Sequence, residues 1–116
     1  MSDCIFCKIV EGKIPAKKVF EDEDMLAFND ISPIRPVHVL VIPKKHITSL
    51  ATATPEDALV WGKMLAKANE IAVSQGSPDG FRVIINTGRV GQQEVQHLHI
   101  HIVGGPDPVG PMLKRL

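Results

Sequence analysis

The run Gln96-His97-Leu98-His99-Ile100-His101-Ile102-Val103 decides how this chain is read. Extended backbone turns successive side chains to opposite faces. His97, His99 and His101 then share one face, and Leu98, Ile100 and Ile102 share the other. The aliphatic set enters a core. A single strand histidine is most simply structural, whereas three on a common face point to chemistry. Alternating imidazoles can chelate zinc and leave a position open for a polarised water. They can also work without metal, because a neutral imidazole whose far nitrogen donates to a carbonyl is a nucleophile toward phosphorus, and its neighbours can donate to phosphoryl oxygens. Spacing alone leans slightly toward chelation.

Outward from this run, a strand is expected over Val95 to Val103, with others at Val37 to Ile42 and Phe81 to Asn86. Val19-Phe20 and Met25 to Asn29 flank the acidic turn Glu21-Asp22-Glu23-Asp24 as a hairpin. One long helix opens at Thr54-Pro55-Glu56-Asp57, where Thr54 caps and Pro55 takes the first helical position. It runs to about Gln75 before Gly76-Ser77-Pro78-Asp79-Gly80. Its packed face is read as Trp61, Leu65, Ala68 and Ala72 with Met64 and Ile71, leaving Lys63, Lys67 and Glu70 in water. A shorter helix is expected from Cys4 to Glu11. The tail from Gly104 to Met112 is irregular and lies over a surface. The sum is an α+β fold: an antiparallel sheet of about five strands with one long and one short helix.

The 116 residues are expected to form a single domain, 1–116, and 44% hydrophobic content suffices for a core. Thirteen basic and thirteen acidic side chains cancel, with no Lys/Arg block, which argues against a nucleic-acid partner. No segment approaches the roughly 20 apolar residues of a membrane span. The first residues do not read as a secretory signal, so the cytoplasm is the expected location. In a reducing compartment, Cys4 and Cys7 suggest metal or redox chemistry before a disulfide.

The segment His97 to Val103 resembles the His-x-His-x-His signature of the histidine triad family of nucleotide hydrolases and transferases. Ile5-Phe6-Cys7-Lys8-Ile9, Ile14-Pro15-Ala16, Ala27 to Pro33, His38 to Ile47 and Gly104-Gly105 are similar to segments of its nucleotide-binding purine nucleoside phosphoramidase branch. The resemblance implies that His99 is the nucleophile, that His101 helps hold phosphate and that His38 completes the imidazole network. It also implies that Asp30 grips the ribose hydroxyls. Phe6, Ile9, Phe28, Ile31 and Leu40 would make an apolar slot for the purine. Asn86 and the backbone around Gln93, Glu94 and Val95 would bound the phosphate pocket. Read without the resemblance, Asp30 starts a turn, Phe6, Phe28 and Ile31 are core, Asn86 ends a strand and Lys44-Lys45 is solvated charge.

Two positions depart from the pattern: Gln92 stands where a Gly is common and Gln96 where an aromatic is common. Cys4-Ile5-Phe6-Cys7 is half a tetrahedral zinc site by spacing. Similarity to bacterial members implies Cys4, Cys7, His46 and His97 as a closed, structural Zn2+ site, with no metal in the chemical step. The resemblance further implies a homodimer that cleaves the P–N bond of purine nucleoside phosphoramidates through a nucleotidyl-histidine. Dinucleoside polyphosphate hydrolysis, or a nucleotide-binding module with incidental turnover, are the alternatives.

Overall fold

The computed structural model describes residues 3–111. Helix α1 spans Ile5–Val10, strand β1 Lys18–Glu21, β2 Met25–Asn29 and β3 Val37–Pro43. A 3-10 turn at Pro55–Asp57 leads into α2, Ala58–Ser74, followed by β4, Arg82–Ile84, and β5, Ile100–Gly104. The five strands form one antiparallel sheet in the order β1-β2-β3-β5-β4. This is the expected fold class. No helix among the described residues is long and apolar enough to cross a membrane.

The pleat divides the sheet's side chains between two layers. Met25 and Ala27 of β2, Val37, Val39 and Val41 of β3, and Ile100 and Ile102 of β5 face α2, where they bury Met64, Ala68, Ile71 and Ala72. The opposite face carries Leu26, Phe28, Leu40 and Ile42 under Phe6 and Ile9 of α1. His38 and His101 alternate with the first set, so they lie on the α1 side of the sheet, where β3 pairs Leu40 with His101. Helix α1 starts where the thiol of Cys4 accepts from the Cys7 amide at 3.3 Å. The β1–β2 turn closes where the Asp22 carboxylate takes the amides of Asp24 and Met25 at 2.8 and 2.9 Å.

The expected bounds of two strands and the expected faces of α2 need correction. The strand read over Val95 to Val103 begins only at Ile100, because the preceding backbone is bonded elsewhere. The Val95 carbonyl accepts from the Gln93 side chain, the His97 carbonyl meets the His99 ring, and the Leu98 amide donates to the Ile47 carbonyl. Side-chain bonds to the main chain here compete with the ladder. Phe81 to Asn86 likewise contracts to Arg82–Ile84. On α2, Leu65 is 48% exposed, because contact with β3 and β5 selects the row 64, 68, 71 and 72. Trp61 is only half-buried, and Lys67 is not fully wet, since its ammonium sits 4.6 Å from the Phe20 ring centroid.

The tail crosses a surface as expected: Arg35 and Arg82 donate to the carbonyls of Val109 and Gly110 at 3.1 and 2.8 Å. Met112 lies outside the described residues. At the start of the tail, a side chain on Gly104 would collide with the buried Ser77 hydroxyl, which holds the Gly80 carbonyl at 2.6 Å.

Candidate active site and metal centre

The imidazoles do not form one row of equivalent groups. His38, His97 and His99 are each fixed by a different main-chain partner and His101 by His38, and these partners assign the tautomers, since an amide can only donate and a carbonyl can only accept. The Ile34 amide donates to His38 Nδ1 at 3.2 Å, so His38 carries its proton on Nε2. That proton is directed at His101 Nδ1, 2.9 Å away, which leaves His101 with Nε2–H. His99 Nδ1 is 2.7 Å from the His97 carbonyl and donates to it, leaving a lone pair on His99 Nε2. His97 Nε2 donates to the Pro43 carbonyl at 2.8 Å and presents an unprotonated Nδ1. Burial holds the His101 pKa down to about 4, with charge on His99 and His38 adding to the effect. His101 is therefore a neutral single donor at pH 7.

A cleft of about 690 Å³ opens over this network, lined among others by Asp30, His38, Asn86, Glu94, His99 and His101. Asp30 Oδ1 accepts the Ser32 amide at 2.8 Å, and Oδ2 lies 3.5 Å from His38 Nε2. Asp30 both starts a turn and faces the cleft. Asp30, His38 and His101 bring three donor atoms within metal-binding distance of one another. The Ile34 amide, however, keeps the His38 lone pair on the wrong nitrogen for a cation there, so hydrogen bonding accounts for this cluster. Phe6, Ile9, Phe28 and Leu40 are buried together, and the Phe6 ring meets Phe28 and His99 edge-on at 5.5 and 5.2 Å. Ile31 stands apart from them, 98% exposed, beside an adjoining hollow that shares Asp30 and His38 with the cleft. Val95 packs against the Phe6 cluster.

Cys4, Cys7, His46 and His97 converge at one point. Cys4 Sγ and Cys7 Sγ lie 3.3 and 3.6 Å from His97 Nδ1, Cys7 Sγ lies 3.2 Å from His46 Nδ1, and the two Nδ1 atoms are 3.2 Å apart. Tetrahedral zinc with ordinary Zn–N and Zn–S bonds has N···N edges of about 3.3 Å and S···N edges of about 3.5 Å. The four side chains fit such an ion. His97 is fully buried and its Nε2–H is held by a carbonyl, the usual arrangement behind a metal-bound imidazole.

Sequence reading placed the backbone around Gln93 at the pocket and singled out Gln92 at a position where Gly is common, but missed the groups that orient the site: the Gln93 side chain, the Ile34 amide and the Pro43 carbonyl. Gln93 is buried; its side chain donates to the Thr48 and Val95 carbonyls at 2.7 and 2.9 Å and accepts from the Gly88 amide at 3.0 Å, pinning the loop before the triad. Gln92 adopts φ 57° in that loop, the left-handed region that glycine occupies most readily. The Ile34 amide and the Pro43 carbonyl are main-chain groups, for which side-chain identity carries no signal.

Comparison with known proteins places this arrangement in a class. The sequence model described as the scavenger mRNA decapping enzyme C-terminal binding domain matches residues 3–114. A solved histidine triad protein from Clostridium difficile is 46% identical, with a TM-score of 0.89 over 96% of this chain and 97% of its own. A structure described as a HIT family hydrolase from Legionella pneumophila is 43% identical, with a TM-score of 0.86 over 90% of this chain and 95% of its own. The protein HitA of Neisseria gonorrhoeae is 55% identical over 106 residues, 91% of this chain and 99% of that protein. The chain belongs to the histidine triad (HIT) family.

Proposed function

We propose that the chain is a purine nucleoside phosphoramidase acting in the cytoplasm. One observation carries this reading: the His97 carbonyl holds the proton of His99 on Nδ1, which leaves the lone pair on Nε2 of a residue that lines the cleft. Asp30 Oδ2 takes the ribose hydroxyls, and the purine lies on the side of the Phe6, Ile9, Phe28 and Leu40 cluster with Ile31 at its rim. Asn86 and the loop at Gln93, Glu94 and Val95 bound the phosphate. The His99 Nε2 lone pair attacks the α-phosphorus, and His101 Nε2–H donates to a phosphoryl oxygen. The P–N bond to the amine breaks, and its electron pair stays on the leaving nitrogen, which takes a proton from solvent. Water then attacks phosphorus, the bond to His99 breaks, and the nucleoside monophosphate departs with His99 restored. The Legionella relative's description as a hydrolase supports the hydrolytic half of this scheme.

Assay of one preparation against an adenosine phosphoramidate and a diadenosine polyphosphate tests the assignment. The expected result is a higher kcat/KM for the phosphoramidate. Preference for the polyphosphate would transfer the chain to the alternative activity. Tight nucleoside monophosphate binding with background turnover of both would make it a binding module.

Zinc at Cys4, Cys7, His46 and His97 would hold α1 against the segment entering β5. Four protein ligands leave no coordination position for a reacting water, so its role is structural. The chain is also proposed to form a homodimer by pairing a sheet edge, β4 being a three-residue strand at one such edge, while Leu65 and Val73 of α2 stand exposed as apolar surface. Light scattering at micromolar concentration should give twice the chain mass; a monomer mass contradicts this pairing.

A further inference from the structure

The charge of the cleft constrains its leaving group. Among the described residues that line it there is no Lys or Arg, while Asp30 and Glu94 bring two carboxylates. The nearest arginine in sequence is committed elsewhere: Arg35 follows the cleft residue Ile34 and donates to the carbonyls of Ile34 and Val109. A phosphate in this cleft would meet imidazoles, amides and a hydroxyl, with no fixed cation among the described lining residues.

The two carboxylates are separated along the strands. Asp30 follows β2 and stands beside His38, near the start of β3. Glu94 belongs to the loop joining β4 to β5, which is tied beyond the other end of β3, where the Gln93 side chain donates to the Thr48 carbonyl and the Leu98 amide to the Ile47 carbonyl. A nucleoside held at Asp30 with its α-phosphorus at His99 therefore sends its leaving group toward the Glu94 end of the cleft. Glu94 carries the one formal charge among the lining residues there, and none of the ion pairs found involves it.

We propose that Glu94 is a specificity-determining residue that selects phosphoramidates whose departing amine carries a second, cationic amino group, as an aliphatic diamine does. This rests on the phosphoramidase reading and names the leaving-group class within it. The carboxylate attracts a distal ammonium, is indifferent to a methyl in its place, and repels a carboxylate. The same negative field disfavours substrates that add anionic phosphates beyond the α-phosphorus.

Three adenosine phosphoramidates of matched length test the proposal, with butanediamine, pentylamine and aminopentanoate as leaving amines. At low salt, kcat/KM should fall in that order, with about a tenfold spread between the cationic and anionic ends, as expected for charge pairs in a solvent-open cleft. Added salt should narrow the spread. Glu94→Gln should compress it toward one, and Glu94→Lys should reverse it. Each ratio is taken within one protein, so a variant with a reduced folded fraction still reports. Equal rates for the three amines, or a spread unchanged in Glu94→Gln, would overturn the proposal while leaving the phosphoramidase reading intact. Turnover of none of them by the wild type would overturn both.

Discussion

His99→Ala lowers turnover of a nucleoside phosphoramidate by about a thousandfold or more, on the scale of removing a covalent catalyst, while nucleoside monophosphate binding survives. The expectation follows from what each neighbour can do in its place. His97 Nε2 is spent on the Pro43 carbonyl and its Nδ1 faces the two cysteines and His46, so it cannot turn to phosphorus. His101 accepts at Nδ1 from His38 and is left with a protonated Nε2, which donates and does not attack. His38 receives the Ile34 amide and directs its proton at His101. Of the three imidazoles that line the cleft among the described residues, His99 alone is left with an uncommitted nitrogen lone pair, and the other two do not substitute for it. Single-turnover and steady-state rates on the variant, with titration of nucleoside monophosphate as the binding control, check this. Near-normal turnover by His99→Ala would refute the mechanism.

Removing both thiols, Cys4→Ser with Cys7→Ser, should abolish the proposed metal binding and lower Tm by on the order of 10 °C, because binding energy at a site absent from the unfolded chain becomes folding energy. Elemental analysis should find about one zinc per chain in the wild type and none in the double variant. A chelator should lower the wild-type Tm and leave the variant's unmoved. Turnover should fall less than in His99→Ala, through loosening of His97, whose carbonyl holds the nucleophile's Nδ1–H. The rival is a catalytic metal on His97, His99 and His101, which requires the first and last of these to point at a common centre. Here one joins the Cys4 cluster and the other joins His38. Metal retained without the cysteines, with turnover lost on chelation, would establish that rival.

Much of the architecture was legible because its signals are local. The short β-branched run at Val37 to Ile42, the hairpin around the acidic turn Glu21 to Asp24 and the Thr54-Pro55 entry to the 3-10 turn that leads into α2 sit where pattern placed them. The alternation from Leu98 to Ile102 correctly sent the aliphatics inward, all three being buried. It failed to show that the backbone carrying His97 and His99 is not a strand, because that depends on where Gln93 and His99 place their side-chain hydrogen bonds. Leu65 was misassigned for a related reason: a helix rich in apolar residues offers more than one candidate face, and the sheet chooses among them. Residue types named the candidate nucleophile and metal ligands. Which nitrogen of each ring is free was set by Ile34, Pro43 and His97 through main-chain atoms, which side-chain pattern does not encode.

Trapping the covalent intermediate tests the central claim most directly. Wild-type protein mixed with an adenosine phosphoramidate should be quenched in alkali, where a phosphohistidine survives, and its peptides examined by mass spectrometry. The account predicts a nucleoside monophosphoryl group on the peptide containing His99, localised to that residue by fragmentation and absent from His99→Ala. A substrate-competent preparation that carries no adduct through its pre-steady-state burst, or carries it on His97 or His101, would contradict it.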